Sequence, residues 1–184
     1  QRTEDVLDAL PRNETFDWVD KVSIELTTMM LATLFDFPFE DRRMLTYWSD
    51  VATADFDAPG ALVKSDEERL EILKEMGQYM GKLWRQRADK DGGFDLISML
   101  SQDAATKDMS PMDLIANSTL LIVGGNDTTR NSITGGVVAL NQNPEQFSLL
   151  KANPHLVNSM VPEIIRWQTP LAHMRRTALE DVEF

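Results

Sequence analysis

The feature that most constrains this chain is a run of helical spacing from Pro111 to about Leu140, interrupted midway by Gly124-Gly125-Asn126-Asp127-Thr128-Thr129. The run is twice or more the mean helix length of about 11–12 residues. Leu114, Ile115, Leu120, Leu121, Ile122 and Val123 put apolar side chains on several sides, which predicts a buried helix. Each mid-helix glycine costs about 1 kcal/mol relative to alanine. A buried carboxylate or hydroxyl costs more unless it is paired. A sequence that accepts several such costs so close together gains something there.

Two readings of the interruption stand side by side. In the first, Gly125 caps one helix and residues 126–130 form a solvated loop before a second. In the other, one helix continues through a distorted turn, where the glycines let a flat cofactor or substrate approach the backbone. Asp127 and Thr128 would then handle protons at that opening. Ile133, Val137, Val138 and Leu140 resume helical spacing with no intervening proline, which favours continuity.

The rest of the pattern is also mainly α. Residues 16–35 carry apolar side chains at helical spacing up to Phe37-Pro38, where the residue before proline leaves the α region. Residues 40–54 form a second helix, and Asp55 to Gly60 a loop. Ser65 is the N-cap of a long helix that reaches Ala88, with Glu68 at the capping-box position. Residues 95–100 form a short helix. Ser110-Pro111 opens the long one, with Pro111 at its first position. Asn143-Pro144 and Asn153-Pro154 open two more. The second of these reaches Trp167 or Gln168 with Pro162 near its middle, and residues 176–184 read as extended.

Of the 184 residues, 18 are Lys or Arg and 30 are Asp or Glu, a net charge of −12, which argues against a nucleic-acid partner. With no cysteine, these residues hold neither a disulfide nor a thiolate metal ligand. No apolar run reaches the roughly 18–20 residues of a membrane span. The first residues lack an initiator Met and a signal-peptide pattern, and the last stop inside a strand-like alternation, so both ends read as cut.

Glu163-Ile164-Ile165-Arg166 sets opposite charges three apart on one helical face. Such pairs are common on exposed helices, but the bulky Ile164, Ile165 and Trp167 lead us to expect partial burial, where Arg166 needs a set of acceptors. His155 reads as an exposed helix-start residue. His173, Arg175 and Arg176 lie together after Pro170, either as a solvated basic turn or as a site for a carboxylate.

In this order the motifs resemble the cytochrome P-450 family, the haem-thiolate monooxygenases. The family's central helix bears (Ala/Gly)-Gly-x-(Asp/Glu)-Thr, matched by Gly124 to Thr128. A Glu-x-x-Arg helix follows, matched by Glu163 and Arg166. Next comes an Arg entering a strand, matched by Arg176 to Phe184. The fold implied is mainly α, a partial cytochrome P-450 fold of central and C-terminal helices plus the start of a sheet strand. Residues 1–184 would form a single internal fragment of one domain.

The resemblance also implies roles. Thr128 would hydrogen-bond dioxygen at the haem iron or its water, and Asp127 would relay protons from solvent. Gly124 and Gly125 would leave room above the haem, and Leu120, Val123 and Leu171 would line the substrate pocket. Glu163 and Arg166 would form the pair that supports the haem-binding core. Arg176, with His173, would bind a haem propionate, with Arg175 the alternative. The family's Cys thiolate ligand has no counterpart among these residues, so the polypeptide alone is expected to lack activity.

Residues 121–130, 162–176 and 37–43 look most similar to bacterial alkane and fatty-acid terminal hydroxylases. That implies insertion of one O2-derived oxygen atom into an unactivated C–H bond. The implied setting is a haem b cofactor, a ferredoxin with its reductase as electron donors, and a cytoplasmic location. A competing reading is a non-enzymatic helical module that binds an apolar ligand or a protein through its Met- and Leu-rich faces, since ten methionines suit adaptable packing. A carboxylate-dependent hydrolase using Asp127 is a weaker third, because no nucleophile–His pair is evident.

Overall fold

A computed structural model describes residues 1–88, 92–173 and 175–183. The chain forms two compact units, Gln1–Arg130 and Asn131–Phe184, and one long helix passes from the first into the second. The helices are α1 (Arg2–Asp8), α2 (Glu25–Leu34), α3 (Arg43–Thr53), α4 (Asp66–Ala88), α5 (Leu96–Gln102), α6 (Pro111–Gln142), α7 (Pro144–Ala152) and α8 (Val157–Gln168).

In the first unit the core gathers from α2 to α6. Leu31 and Phe35 from the end of α2, Leu45 and Trp48 from α3, Met76, Met80 and Leu83 from α4, Ile97 from α5 and Ile122 from α6 are all buried together. The recurrence every three or four residues is what turns each helix into a one-sided core element. Phe37 stacks on Tyr79 with ring centroids 5.0 Å apart, and Trp48 meets the same ring edge-on at 5.7 Å.

Several helix ends follow the sequence. Ser65 Oγ accepts from the Glu68 amide at 3.2 Å, and Ser110 Oγ accepts from the Asp113 amide at 3.1 Å. Glu68 reaches back to the Lys64 amide at 2.8 Å, one residue before the position a capping box predicts. Asp95 caps α5, accepting from the Ser98 amide at 3.0 Å.

Other ends do not. The helix expected over 16–35 starts as a π-helical turn, Val19–Ile24, before it becomes α2. It closes ahead of Pro38, at Asp36, which sits in the left-handed region at φ 45°. The Phe37 amide then donates to the Ala32 carbonyl at 2.7 Å and the Asp36 amide to the Thr33 carbonyl at 3.2 Å, a Schellman closure. Arg87 of α4 makes that closure affordable without glycine: it donates to the Phe35 carbonyl at 2.7 Å, to the Asp36 carbonyl, and to Asp95 at 3.0 Å. The start of α3 is likewise split, with a short 3₁₀ turn at Phe39–Asp41 ahead of it. Helix α1, buried through Val6, has no periodicity long enough to announce it.

Helix α6 settles the choice between loop and helix. It is α-helical without a break from Pro111 to Gln142, so neither the solvated loop nor a distorted turn is present at Gly124–Thr129. It is also not buried all round. Ser118, Ile122 and Asn126, spaced by four, turn inward, whereas Leu120 is 70% exposed and Gly124 lies on the same uncovered side.

In the second unit, α8 packs against the end of α6. Gly135 and Gly136 let Gln168 and Ile164 of α8 come into contact with the α6 backbone, at distances where a methyl group would collide. Pro162 does not divide α8, which ends at Thr169 in the left-handed region. Residues 175–183 form no strand, because a strand is stabilised by a paired neighbour and no strand exists among the described residues to supply one. Among those residues, no helix is long and apolar enough to cross a membrane.

Candidate functional site

Four glycines lie in α6, and three stand against a side chain of another helix. A methyl group on Gly125 would stand 2.6 Å from Leu31 Cδ2, on Gly135 2.2 Å from Gln168 Oε1, and on Gly136 2.9 Å from Ile164 Cδ1. A methyl on Gly124 would meet nothing within 4 Å. None of the described residues therefore requires a glycine at 124, although a mid-helix glycine costs about 1 kcal/mol against alanine.

Gly124 sits in the middle of a stripe formed by Leu120, Gly124 and Thr128, each one turn from the next. Leu120 is exposed, and Val123, Asp127 and Thr128 are half-buried at the edges of the stripe. Thr128 Oγ1 donates to the Gly124 carbonyl at 3.0 Å, a back-bond that keeps a mid-helix hydroxyl compatible with the helix. The stripe thus offers an apolar, side-chain-free patch beside one hydroxyl and one carboxylate.

Asp127 is tied to its own helix and to a second one. Arg130 Nη2 bonds the Asp127 carboxylate and, at 2.8 Å, Asp50 Oδ1 of α3. Burial pushes the Arg130 pKa down, yet hydrogen bonding and charge from Asp50 and Asp127 outweigh it and hold the pKa above the ordinary arginine value. On the inward side Asn126 is fully buried, with its Oδ1 accepting from Thr27 Oγ1 of α2 at 2.9 Å and its Nδ2 without a partner among the described residues.

In the second unit, Glu163 and Arg166 form the expected pair, bidentate at 2.6 and 2.7 Å. The pair is exposed, not partly buried, with side chains 57% and 66% accessible. The bulky Ile165 and Trp167 beside it are exposed as well, so the apolar company that led us to expect burial covers nothing here. Hydrogen bonding to Arg166 holds Glu163 below, and to Glu163 holds Arg166 above, their ordinary pKa values. Leu171, His173, Arg175 and Arg176 lie exposed on the irregular segment after α8, where Arg176 donates to the Arg175 carbonyl at 2.7 Å. Sequence reasoning overlooked Asp50 and Arg130. The only local signal was Arg130 three residues after Asp127.

No protein-family model matches the chain. It is 32% identical over 183 residues to linalool 8-monooxygenase of Pseudomonas putida, across 99% of this chain and 44% of that protein. It is 35% identical over 167 residues to steroid C26-monooxygenase of Mycolicibacterium smegmatis, across 91% of this chain and 38% of that protein. Its fold matches cytochrome P-450-153 from Novosphingobium aromaticivorans with a TM-score of 0.85 and 50% identity, across 99% of this chain and 43% of that one. The chain belongs to the cytochrome P-450 family and carries part of its mainly helical fold. It spans less than half the length of these relatives.

Proposed function

We propose that the whole protein, one cytochrome P-450 domain, is a haem-dependent monooxygenase that inserts one oxygen atom of O2 into an unactivated C–H bond. The observation that carries this reading is Gly124: an exposed helix face kept free of a side chain for which the described residues leave room. An apolar stripe with a bare backbone at its centre fits the flat face of a haem and the small space above it. These residues fit the oxygen-binding side only, because none of the 184 is a cysteine that would hold the iron from the other.

When bound, a thiolate-ligated haem supplies the oxygen activation that no side chain provides. The chain's own residues position and protonate. The Thr128 hydroxyl lies beside the open patch, and rotation of its proton away from the Gly124 carbonyl lets it donate to a group seated over Gly124. Asp127, half-buried at the edge of the stripe, carries a proton between solvent and that hydroxyl. Leu120, Val123 and Leu171 offer apolar contact to the substrate. Arg176, with His173, pairs with a haem propionate, and Arg175 is the alternative cation. Glu163 and Arg166, exposed on α8 among the described residues, would support the core on which the haem rests in the whole protein.

The narrower reading is terminal hydroxylation of alkanes or fatty acids, with electrons from a ferredoxin and its reductase and a cytoplasmic location. It is supported by the 50% identity to cytochrome P-450-153 and by an apolar lining suited to an alkyl chain. The test is Thr128→Ala in the full-length protein with those electron donors. We expect electrons to be diverted from product to peroxide. Unchanged coupling with altered stability alone would favour a helical binding module.

A further inference from the structure

We propose that Asp50 is a positioning residue for Asp127, acting through Arg130. The inference rests on the proton-handling reading of Asp127 and extends it to a residue on another helix.

An aspartate and an arginine three apart on one helix make a loose pair, since both side chains keep their rotamers and water competes for them. Here the guanidinium is not loose. Arg130 is only 15% exposed, and its Nη2 is shared between Asp127 on α6 and Asp50 on α3, 80 residues away. A planar guanidinium held from two helices fixes the direction from which it approaches each carboxylate. Asp50 therefore contributes, from a second helix, to how Arg130 faces Asp127.

That arrangement suits a proton carrier better than a structural pair. A carboxylate claimed by its own arginine is a poor proton acceptor, and one with no arginine swings freely. Sharing the nitrogen leaves Asp127 anchored at the edge of the open stripe while still in touch with solvent, at 23% exposure. Removing Asp50 takes away the hold on Arg130 that comes from α3.

The experiment compares the full-length holoenzymes Asp50→Asn, Arg130→Gln and Asp127→Asn, and the double variant Asp50→Asn/Asp127→Asn. Product and peroxide per electron pair are measured with a saturated fatty acid as substrate, together with melting temperature and a crystal structure of Asp50→Asn. We expect Asp50→Asn to lower product formation on the order of tenfold to a hundredfold. Its Asp127 carboxylate should be displaced, and the double variant should be no worse than Asp127→Asn alone. Arg130→Gln must behave in the same way, and it decides the matter if Asp50→Asn does not accumulate. Wild-type coupling in Asp50→Asn or Arg130→Gln, or an unmoved Asp127 carboxylate, overturns the proposal while leaving the site reading intact. Wild-type coupling in Asp127→Asn overturns the site reading and the proposal with it.

Discussion

Gly125 and Leu31 are in contact at a distance no alanine could hold: a methyl group on Gly125 would lie 2.6 Å from Leu31 Cδ2. Leu31 is buried in the core of the first unit, so it cannot simply step aside. Gly125→Ala should gain about 1 kcal/mol of helix propensity and lose about 1–3 kcal/mol to overpacking. The expected net is a loss of up to about 2 kcal/mol, read as a lower denaturant midpoint. A gain in stability would mean that α2 and α6 do not pack as described.

Asp95 should hold together three helix ends. Its carboxylate caps α5 and meets Arg87, which in turn covers the closing carbonyls of α2. Burial pushes the Asp95 pKa up, but the hydrogen bonds from Ser98 and the charge of Arg87 outweigh it and hold the pKa below the ordinary carboxylate value. A depressed folded pKa contributes stability that is present above the unfolded value and is lost as pH falls through the folded one. Asp95→Ala should cost about 2–3 kcal/mol at neutral pH, as a cap and a buried acceptor are removed together. Its acid unfolding curve should lack part of the wild-type pH dependence. Parallel curves would contradict this.

Tyr79 donates to Asp41 at 2.6 Å. Burial, and then that bond and the negative charge of Asp41, push its pKa to about 12 from 10.0. The neutral phenol is favoured in the folded state. The stability it contributes is therefore complete below the unfolded value and falls as pH rises from about 10 to about 12. Ultraviolet titration of tyrosinate should show one late-ionising group, and Asp41→Asn should bring it earlier. A Tyr79 that ionises equally early in wild type and variant would contradict the contact.

What was legible in the sequence was local. Ser65, Ser110 and Asn143-Pro144 mark helix starts because cap and proline chemistry acts within one turn. The length of α6 follows from uninterrupted periodicity, and the family motifs from residue order. What was not legible depends on partners far along the chain. Asp36 adopts a left-handed closure under Arg87, 51 residues away. Asp50 joins Asp127 through an ion pair that spans two helices. The burial expected for Glu163 and Arg166 failed for a related reason: apolar neighbours predict burial only where another surface covers them. Leu120 taught the same lesson within α6.

The bare backbone at Gly124 is proposed to face a haem and its substrate. The direct measurement is Gly124→Leu in the full-length protein, read by helical content of the haem-free form, haem content and the Soret shift on adding a saturated fatty acid. Leucine is a good helix former, and none of the described residues lies within 4 Å of where its Cβ would stand, so the haem-free form should keep its helical content. Haem content or the substrate-induced shift should be lost, since the side chain fills the space above the stripe. Full haem content with a wild-type Soret shift would mean that Gly124 faces neither, because a leucine there would then occupy space that haem and substrate do not need.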